Sequence, residues 1–238
     1  MLLASPYYEY PPPATSPSIQ VLQNTGTVQQ QGNGTSITLT FSSNVTAGST
    51  LIIVLEGYGI GSCTTPTTGG TWKQYDAISS GHYSSSSILV LPNAPAKTNS
   101  VTVGIPNWQN YAAGGMIEVA GLTNPATPDV QASYLANKDI NCPFTSTATG
   151  SKNTAYANEL AVFSLSLAEG NFGLITYSGN GTTAYTNIYD ANNDNTDACG
   201  YGGYQILNTI QTPTVSVTAN GSNSGAYGCP ALLLLTLH

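Results

Sequence analysis

From Ser18 onward, short apolar runs alternate with loops rich in Gly, Asn, Thr, Ser and Pro, the pattern of antiparallel strands. The clearest runs are Ile19–Leu22, Ser36–Phe41, Leu51–Leu55, Ile88–Leu91, Val101–Ile105, Met116–Val119, Leu160–Leu167, Gly173–Tyr177, Tyr204–Ile210, Val215–Thr218 and Ala231–Leu237. Ile37, Leu39 and Phe41 alternate with Thr and Ser, so one face of that strand is expected to be buried. Phe163, Leu165 and Leu167 alternate with Val162, Ser164 and Ser166 in the same way. Leu51–Leu55 and Leu232–Leu235 are apolar at every position, which predicts central strands covered on both faces. No segment carries a helical period. Asn110–Val119 comes nearest and is broken by Gly114-Gly115. No repeat of roughly 20–50 residues is read. The fold class expected is all-β: a two-sheet antiparallel sandwich over residues 18–238.

Residues 1–17 read differently. Tyr7, Tyr8 and Tyr10 precede Pro11-Pro12-Pro13, and Pro17 follows. Consecutive prolines have no N–H to share and favour an extended segment, so this stretch is an arm or linker. Met1–Ser5 is too short and too uncharged for a signal peptide. An exported chain is therefore expected either to be numbered after processing or to lack its leader.

Charge narrows the partners. Only 6% of the 238 residues are charged, against about 25% in an average soluble domain. A net charge of −7 with no arginine does not neutralise phosphates, so nucleic acid is not an expected partner. The same deficit argues against an anionic membrane surface, and no apolar run is long enough to span a bilayer. Few ionisable groups couple folding weakly to pH, which suits the outside of an acid-dwelling thermophile.

Candidate chemistry is sparse. Some all-β sandwiches are glycosidases, which need two carboxyls about 5 Å apart or somewhat more. Glu56, Glu118, Glu159 and Asp76 lie on or beside strands, and Glu56 with Glu118 is the candidate pair. Asp190, Asn192, Asp194, Asn195 and Asp197 place oxygens like a calcium loop. Asn195 and Tyr201 stand where an EF-hand needs Gly and Glu, which excludes that motif. His82 is the internal histidine and sits in a loop sequence, where exposure is expected. Tyr58, Trp72, Tyr75, Tyr83, Trp108 and Tyr111 are candidates for stacking on sugars, with Trp72 expected in the core. Sequons occur at Asn33, Asn44, Asn180 and Asn220. No cofactor or metal is expected.

Cys63, Cys142, Cys199 and Cys229 are widely spaced and unclustered, which favours two disulfides over zinc. Four cysteines allow three connectivities. If Leu51–Leu55 and Ala231–Leu237 are antiparallel neighbours, Cys63 falls near Cys229 and Cys142 is left for Cys199.

The order of short motifs carries a resemblance. Ala47-Gly48-Ser49-Thr50 leads into Leu51–Leu55; Gly69-Gly70-Thr71-Trp72, Leu89-Val90-Leu91-Pro92-Asn93-Ala94-Pro95 and Ser100–Val103 follow. Ile117-Glu118-Val119-Ala120-Gly121-Leu122 and Asn158–Val162 come later, and a hydrophobic strand closes the chain. Over residues 18–238 this series resembles the jelly-roll domains of secreted prokaryotic proteins and phage virion proteins. The resemblance implies a single jelly roll for display and assembly, without shared catalytic residues. By composition the chain also resembles subunits of archaeal extracellular threads, which implies joining of copies by donor-strand complementation. The function expected is therefore a structural, non-enzymatic subunit of an extracellular filament. Leu2, Leu3, Tyr7, Tyr8, Tyr10 and Pro11–Pro13 form its assembly arm, and copies of the chain and glycans are its partners. The alternatives are a virion or cell-surface display protein and a carbohydrate-binding module.

Overall fold

The structure, a computed structural model, describes residues 18–238 apart from 33, 60–61, 68, 80–83, 107, 137–139, 142–143, 169–174, 180–183, 192–197, 221–226 and 229. The described residues form antiparallel strands and no helix. The first half contains β1 (Gln20–Asn24), β2 (Val28–Gln31), β3 (Ser36–Thr40), β4 (Thr50–Gly59), β5 (Lys73–Ser79), β6 (Ser84–Leu91), β7 (Ser100–Gly104) and β8 (Trp108–Ala120). The second contains β9 (Gln131–Leu135), β10 (Ile140–Asn141), β11 (Phe144–Thr149), β12 (Glu159–Ala168), β13 (Ile175–Ser178), β14 (Thr186–Ala191), β15 (Ala198–Leu207), β16 (Thr214–Ala219), β17 (Tyr227–Gly228) and β18 (Ala231–Leu237).

The all-β sandwich expected from the strand pattern is found. Its two main sheets run β1-β8-β4-β6-β5, with β2 also on β8, and β14-β15-β12-β18-β9. They pack face to face through Ile52, Val54, Ile88, Val90 and Ile117 on one side and Leu160, Val162, Leu233, Leu235 and Leu237 on the other. The stack runs deeper than two sheets. The pair β3-β7 covers the outer face of the first sheet over Leu51, Ile53, Leu55, Leu39, Phe41, Val101 and Val103. The sheet β11-β16-β13 covers the second over Phe163, Leu165, Leu232, Leu234, Val215 and Val217. A short ribbon, β10-β17, is a separate two-stranded sheet whose β17 lies near β12.

This layering explains the continuous apolar runs. Successive side chains of β4 point alternately into the central core and into the outer one, and Leu51–Leu55 are fully buried. Leu232–Leu235 in β18 behave identically. One expectation is overturned: β4 and β18 are not neighbours. β4 lies between β8 and β6, and β18 lies between β12 and β9. Strands equally apolar on both faces suit the centre of either sheet, so composition did not select the partner.

The two halves share one plan. Replacing β1, β8, β4, β6 and β5 by β9, β18, β12, β15 and β14 converts the first sheet's order into the second's. The outer pair β3-β7 corresponds to β11-β16. Packing between halves is reciprocal: β4 lies on β15 as β12 lies on β6, and β8 lies on β14 as β18 lies on β5. The halves are thus related by an approximate internal two-fold passing near β4 and β12. Tyr75-Asp76-Ala77 in β5 and Tyr189-Asp190-Ala191 in β14 are its clearest echo in sequence. The single sandwich expected over residues 18–238 is a fused pair bound by one shared core. The unit runs from Gln20 to its counterpart Gln131, far longer than the short repeats sought in sequence.

Candidate functional site

The most unusual polar feature lies in the seam between the halves. Glu56 follows Ile52 and Val54 on the inward face of β4 and is completely buried. Its Oε2 accepts a bond from Ser166 Oγ at 3.3 Å, while Oε1 has no hydrogen-bond partner among the described residues. Burial pushes its carboxyl well above the ordinary glutamate value, and the Ser166 bond only partly opposes this. The site exists because the opposing strand is bare: a Cβ on Gly200 would lie 1.9 Å from Glu56 Cγ. Hydroxyls line the rest of the seam. Ser164 Oγ donates to Leu55 O at 2.8 Å, Ser86 Oγ to Ala231 O at 2.6 Å and Tyr189 Oη to Leu165 O at 3.3 Å. Tyr111, itself raised by burial and then by Glu56, flanks the acid. The arrangement stitches two sheets together around a carboxyl buried from solvent.

Glu118, Glu159 and Asp129 hold loops. Glu118 is on the opposite face of its sheet from Glu56. Leu51 stands opposite Glu118 and Ala113 opposite Glu56, a separation of roughly 17 Å along the strands. They are not a hydrolytic pair, because a shared sheet places side chains five positions apart on opposite faces. Glu118 Oε1 accepts from Thr46 N at 2.7 Å and its Oε2 from Gln23 Nε2 at 2.5 Å, which fixes the loop before β4. The loop before β12 is held in the counterpart place. Glu159 Oε1 accepts from Tyr156 N at 3.1 Å, and Asp129 takes Lys152 Nζ at 2.9 Å and the Ala155 N–H. Asp129 and Glu159 interact directly. Burial, then the neighbouring Asp129, raises Glu159; burial would raise Asp129 too, but bonds from Lys152, Ala155 and Glu159 carry it below its ordinary value.

Asp76 accepts from Ser87 Oγ at 2.6 Å and from Gln74 Nε2 at 3.1 Å, and Gln74 also donates to Cys63 O at 3.0 Å. Cys63 is a buried thiol, pushed up to about 12 by desolvation. Cys199 is buried in the outer core of the second half. Cys229 and Cys142, their expected partners, lie outside the described residues, and the β4–β18 adjacency on which that pairing rested does not exist. The arm residues Leu2, Leu3, Tyr7, Tyr8, Tyr10 and Pro11–Pro13, the residues His82 and Tyr83, the sequons Asn33 and Asn180, and Asn192–Asp197 also lie outside the described residues.

Asn44 and Asn220 are exposed. Trp72 is in the core, as expected, and Tyr111 joins it there. Tyr58 and Tyr75 are half-buried against the central core. Sequence reasoning missed the exposed Tyr156, stacked on His238 with ring centroids 4.1 Å apart. It also missed the serine run Ser84–Ser87, which is a fully buried strand segment. Among the described residues no cluster of His, Cys, Asp and Glu is arranged to hold a metal ion. A scan against protein-family models finds no match, and a search of curated proteins finds none either.

Proposed function

We propose that this chain is a non-catalytic structural subunit of an extracellular filament, whose copies join head to tail when an extended arm adds to an open sheet edge. One observation carries the reading: the small outer sheets lie at opposite ends of the four-layer stack, and among the described residues each ends in a strand paired on one side, β3 in the first and β11 and β13 in the second. An open edge offers a row of N–H and C=O groups to an incoming strand. A donor and acceptor at opposite ends make a contact that does not close, and the product is a filament. The strand order β1-β8-β4-β6 over β3-β7 supports reading each half as an abbreviated jelly roll, in line with the resemblance drawn from the motif order. The charged residues already described serve loops and seams, which leaves assembly as the use of this surface.

Electron microscopy of the purified full-length chain tests the proposal. Filaments are expected, and a chain lacking residues 1–17 should stay folded and monomeric. Filaments from the truncated chain would remove the arm from the account. A carbohydrate-binding reading is favoured by one feature, the exposed Tyr156 stacked on His238. Glycan-array binding lost in Tyr156→Ala would support it.

A further inference from the structure

Each outer sheet covers one side of its central strand with the chain's own residues. On β16 the side away from β11 is taken by β13. On β7 the side away from β3 is taken by the segment after Cys63: Thr64 N bonds Gly104 O at 2.7 Å, Pro66 is buried and Gly69 stands against Thr98. The far sides of β3 and β11 have no such cover among the described residues.

The register fixes which groups point there. Ile105 N bonds Thr35 O and Phe41 N bonds Asn99 O, so the backbone groups of Ile37 and Leu39 face β7. Ser36, Thr38 and Thr40 therefore turn their N–H and C=O groups away from it. Among the described residues these groups meet no backbone partner. The side chains are engaged elsewhere, Thr38 with Thr102 at 2.8 Å and Thr40 with Ser100 at 2.9 Å.

Other edges are blunted. On β14, Asn24 Nδ2 donates to Asn187 O at 3.1 Å, and Thr27 Oγ1 donates to Asp190 O at 3.1 Å and accepts from Asp190 N at 3.0 Å. β1 carries a register shift between Val21 and Gln23. β3 has neither device, and its sequence holds no proline and no charge. β11 is equally plain: Gly150 N bonds Pro213 O, which turns Thr145, Thr147 and Thr149 outward in the same way. The ground beside the two edges differs. β3 turns Ile37 and Leu39 into the outer core next to Val28 of β2, which is only half-buried. β11 turns Ser146 and Ala148 inward. The open edge with a partly uncovered apolar neighbour is therefore β3.

We infer that the outer edge of β3, Ser36–Thr40, is the acceptor for the arm of a second copy of this chain. This deepens the filament reading and rests on it. Within the arm, residues 2–10 contain one proline, Pro6. In a strand Tyr8 and Tyr10 share one face and Tyr7 and Glu9 the other, so tyrosines can turn inward over Val28 while Glu9 stays in water. Direction favours a neighbour. β1 passes the C-terminal end of β3, where Ser43 Oγ donates to Gln23 Oε1 at 2.7 Å. An arm leading into β1 of the same copy reaches the edge directly only parallel to β3. A neighbour's arm can run antiparallel, as β7 does on the other side.

The test uses the full-length chain. Thr38→Pro removes one outward N–H and leaves every β3–β7 backbone bond, because the backbone groups of Thr38 face away from β7. Folded Thr38→Pro chains are expected to form no filaments. Thr38→Val keeps the N–H and loses the hydroxyl, and Thr147→Pro makes the same change on β11; both are expected to form filaments as the wild type does. Hydrogen exchange on wild-type filaments supplies a readout that needs no variant: the Ser36, Thr38 and Thr40 amides should exchange at least about tenfold slower than in the dissociated chain. Filaments from folded Thr38→Pro, their loss in Thr38→Val or in folded Thr147→Pro, or unchanged exchange at these amides would overturn the edge assignment. Slow exchange already present in the dissociated chain would overturn it too, since the edge would then be covered by its own copy. If the wild type forms no filaments at all, the filament reading itself falls; if it forms them and only the β3 results fail, only the edge is wrong.

Discussion

At the scale of single residues, Glu56 decides the pH response. Its folded-state carboxyl is raised, so it keeps its proton at pH values where the unfolded chain, near 4.5, has released it. The folded form then binds more protons, and its stability is fullest below about 4.5 and declines as pH rises toward the folded value. The groups facing it are Ser86 on β6, Ala113 and Tyr111 on β8, Ser166 on β12, Tyr189 on β14 and Gly200 on β15. None supplies a compensating cation. Glu159 acts in the same direction, whereas Asp129, held low, matters only in stronger acid. Glu56→Gln is expected to flatten the dependence and to gain about 1–3 kcal/mol at neutral pH, read from urea midpoints across a pH series. Gly200→Ala forces a methyl into the Glu56 side chain and is expected to lose about 2–3 kcal/mol in the same assay. Cys63 is expected to ignore thiol reagents in the native protein, since it is buried and its thiolate is scarce below about 12. Rapid native labelling would contradict its placement.

At the scale of elements, β6 was half legible. Ile88–Leu91 announced a strand, but Ser84–Ser87 fell outside the run because serine carries no apolar signal. The strand continues because each hydroxyl on Ser85, Ser86 and Ser87 finds an acceptor: Gly59 O, Ala231 O and Asp76 Oδ1, all at 2.6 Å. Those acceptors lie far away in sequence, so pattern alone could not reveal them. Ser86→Ala should cost about 1 kcal/mol in chemical denaturation, as it removes one donor from Ala231 O. β8 was obscured differently. The apolar run covers only Met116–Val119, and Gly114-Gly115 break a helical period, whereas one strand runs through both glycines. A Cβ on Gly115 would press on Ile188 and Gly26 O, so the glycine marks close approach of β14 rather than a turn. Leu233, continuous with the apolar run that was read correctly, fills the central core. Leu233→Ala is expected to cost about 3 kcal/mol.

For the molecule as a whole, the shared core makes the halves interdependent. Residues 18–122 expressed alone would expose Ile52, Val54, Ile88, Val90 and Ile117, a face normally covered by β12, β15 and β18. The approximate two-fold supplies a way to cover it: a second fragment takes the place of the missing half. Size-exclusion chromatography should show a dimer, and a well-behaved monomeric fragment would refute the shared-core account. The same symmetry explains why Glu118 in one half and Glu159 with Asp129 in the other all hold the loop before a central strand. Taken singly they looked like candidate catalytic acids. Their bonds to backbone N–H groups place them as loop anchors.

Local pattern alone determined the most apolar strands, their buried faces and the centrality of Leu51–Leu55 and Leu232–Leu235, because alternation is a property of neighbouring residues; the polar strands such as β2, β5, β9, β11 and β14 were not legible in it. It also determined the scarcity of charge and hence the weak claim of nucleic acid or an anionic surface. Tertiary structure alone decided which strands pair, that two similar halves share a core, and that Glu56 is sealed between them. Those facts depend on contacts between residues far apart in the chain, where many partners of equal apolarity compete and only the assembled packing selects one.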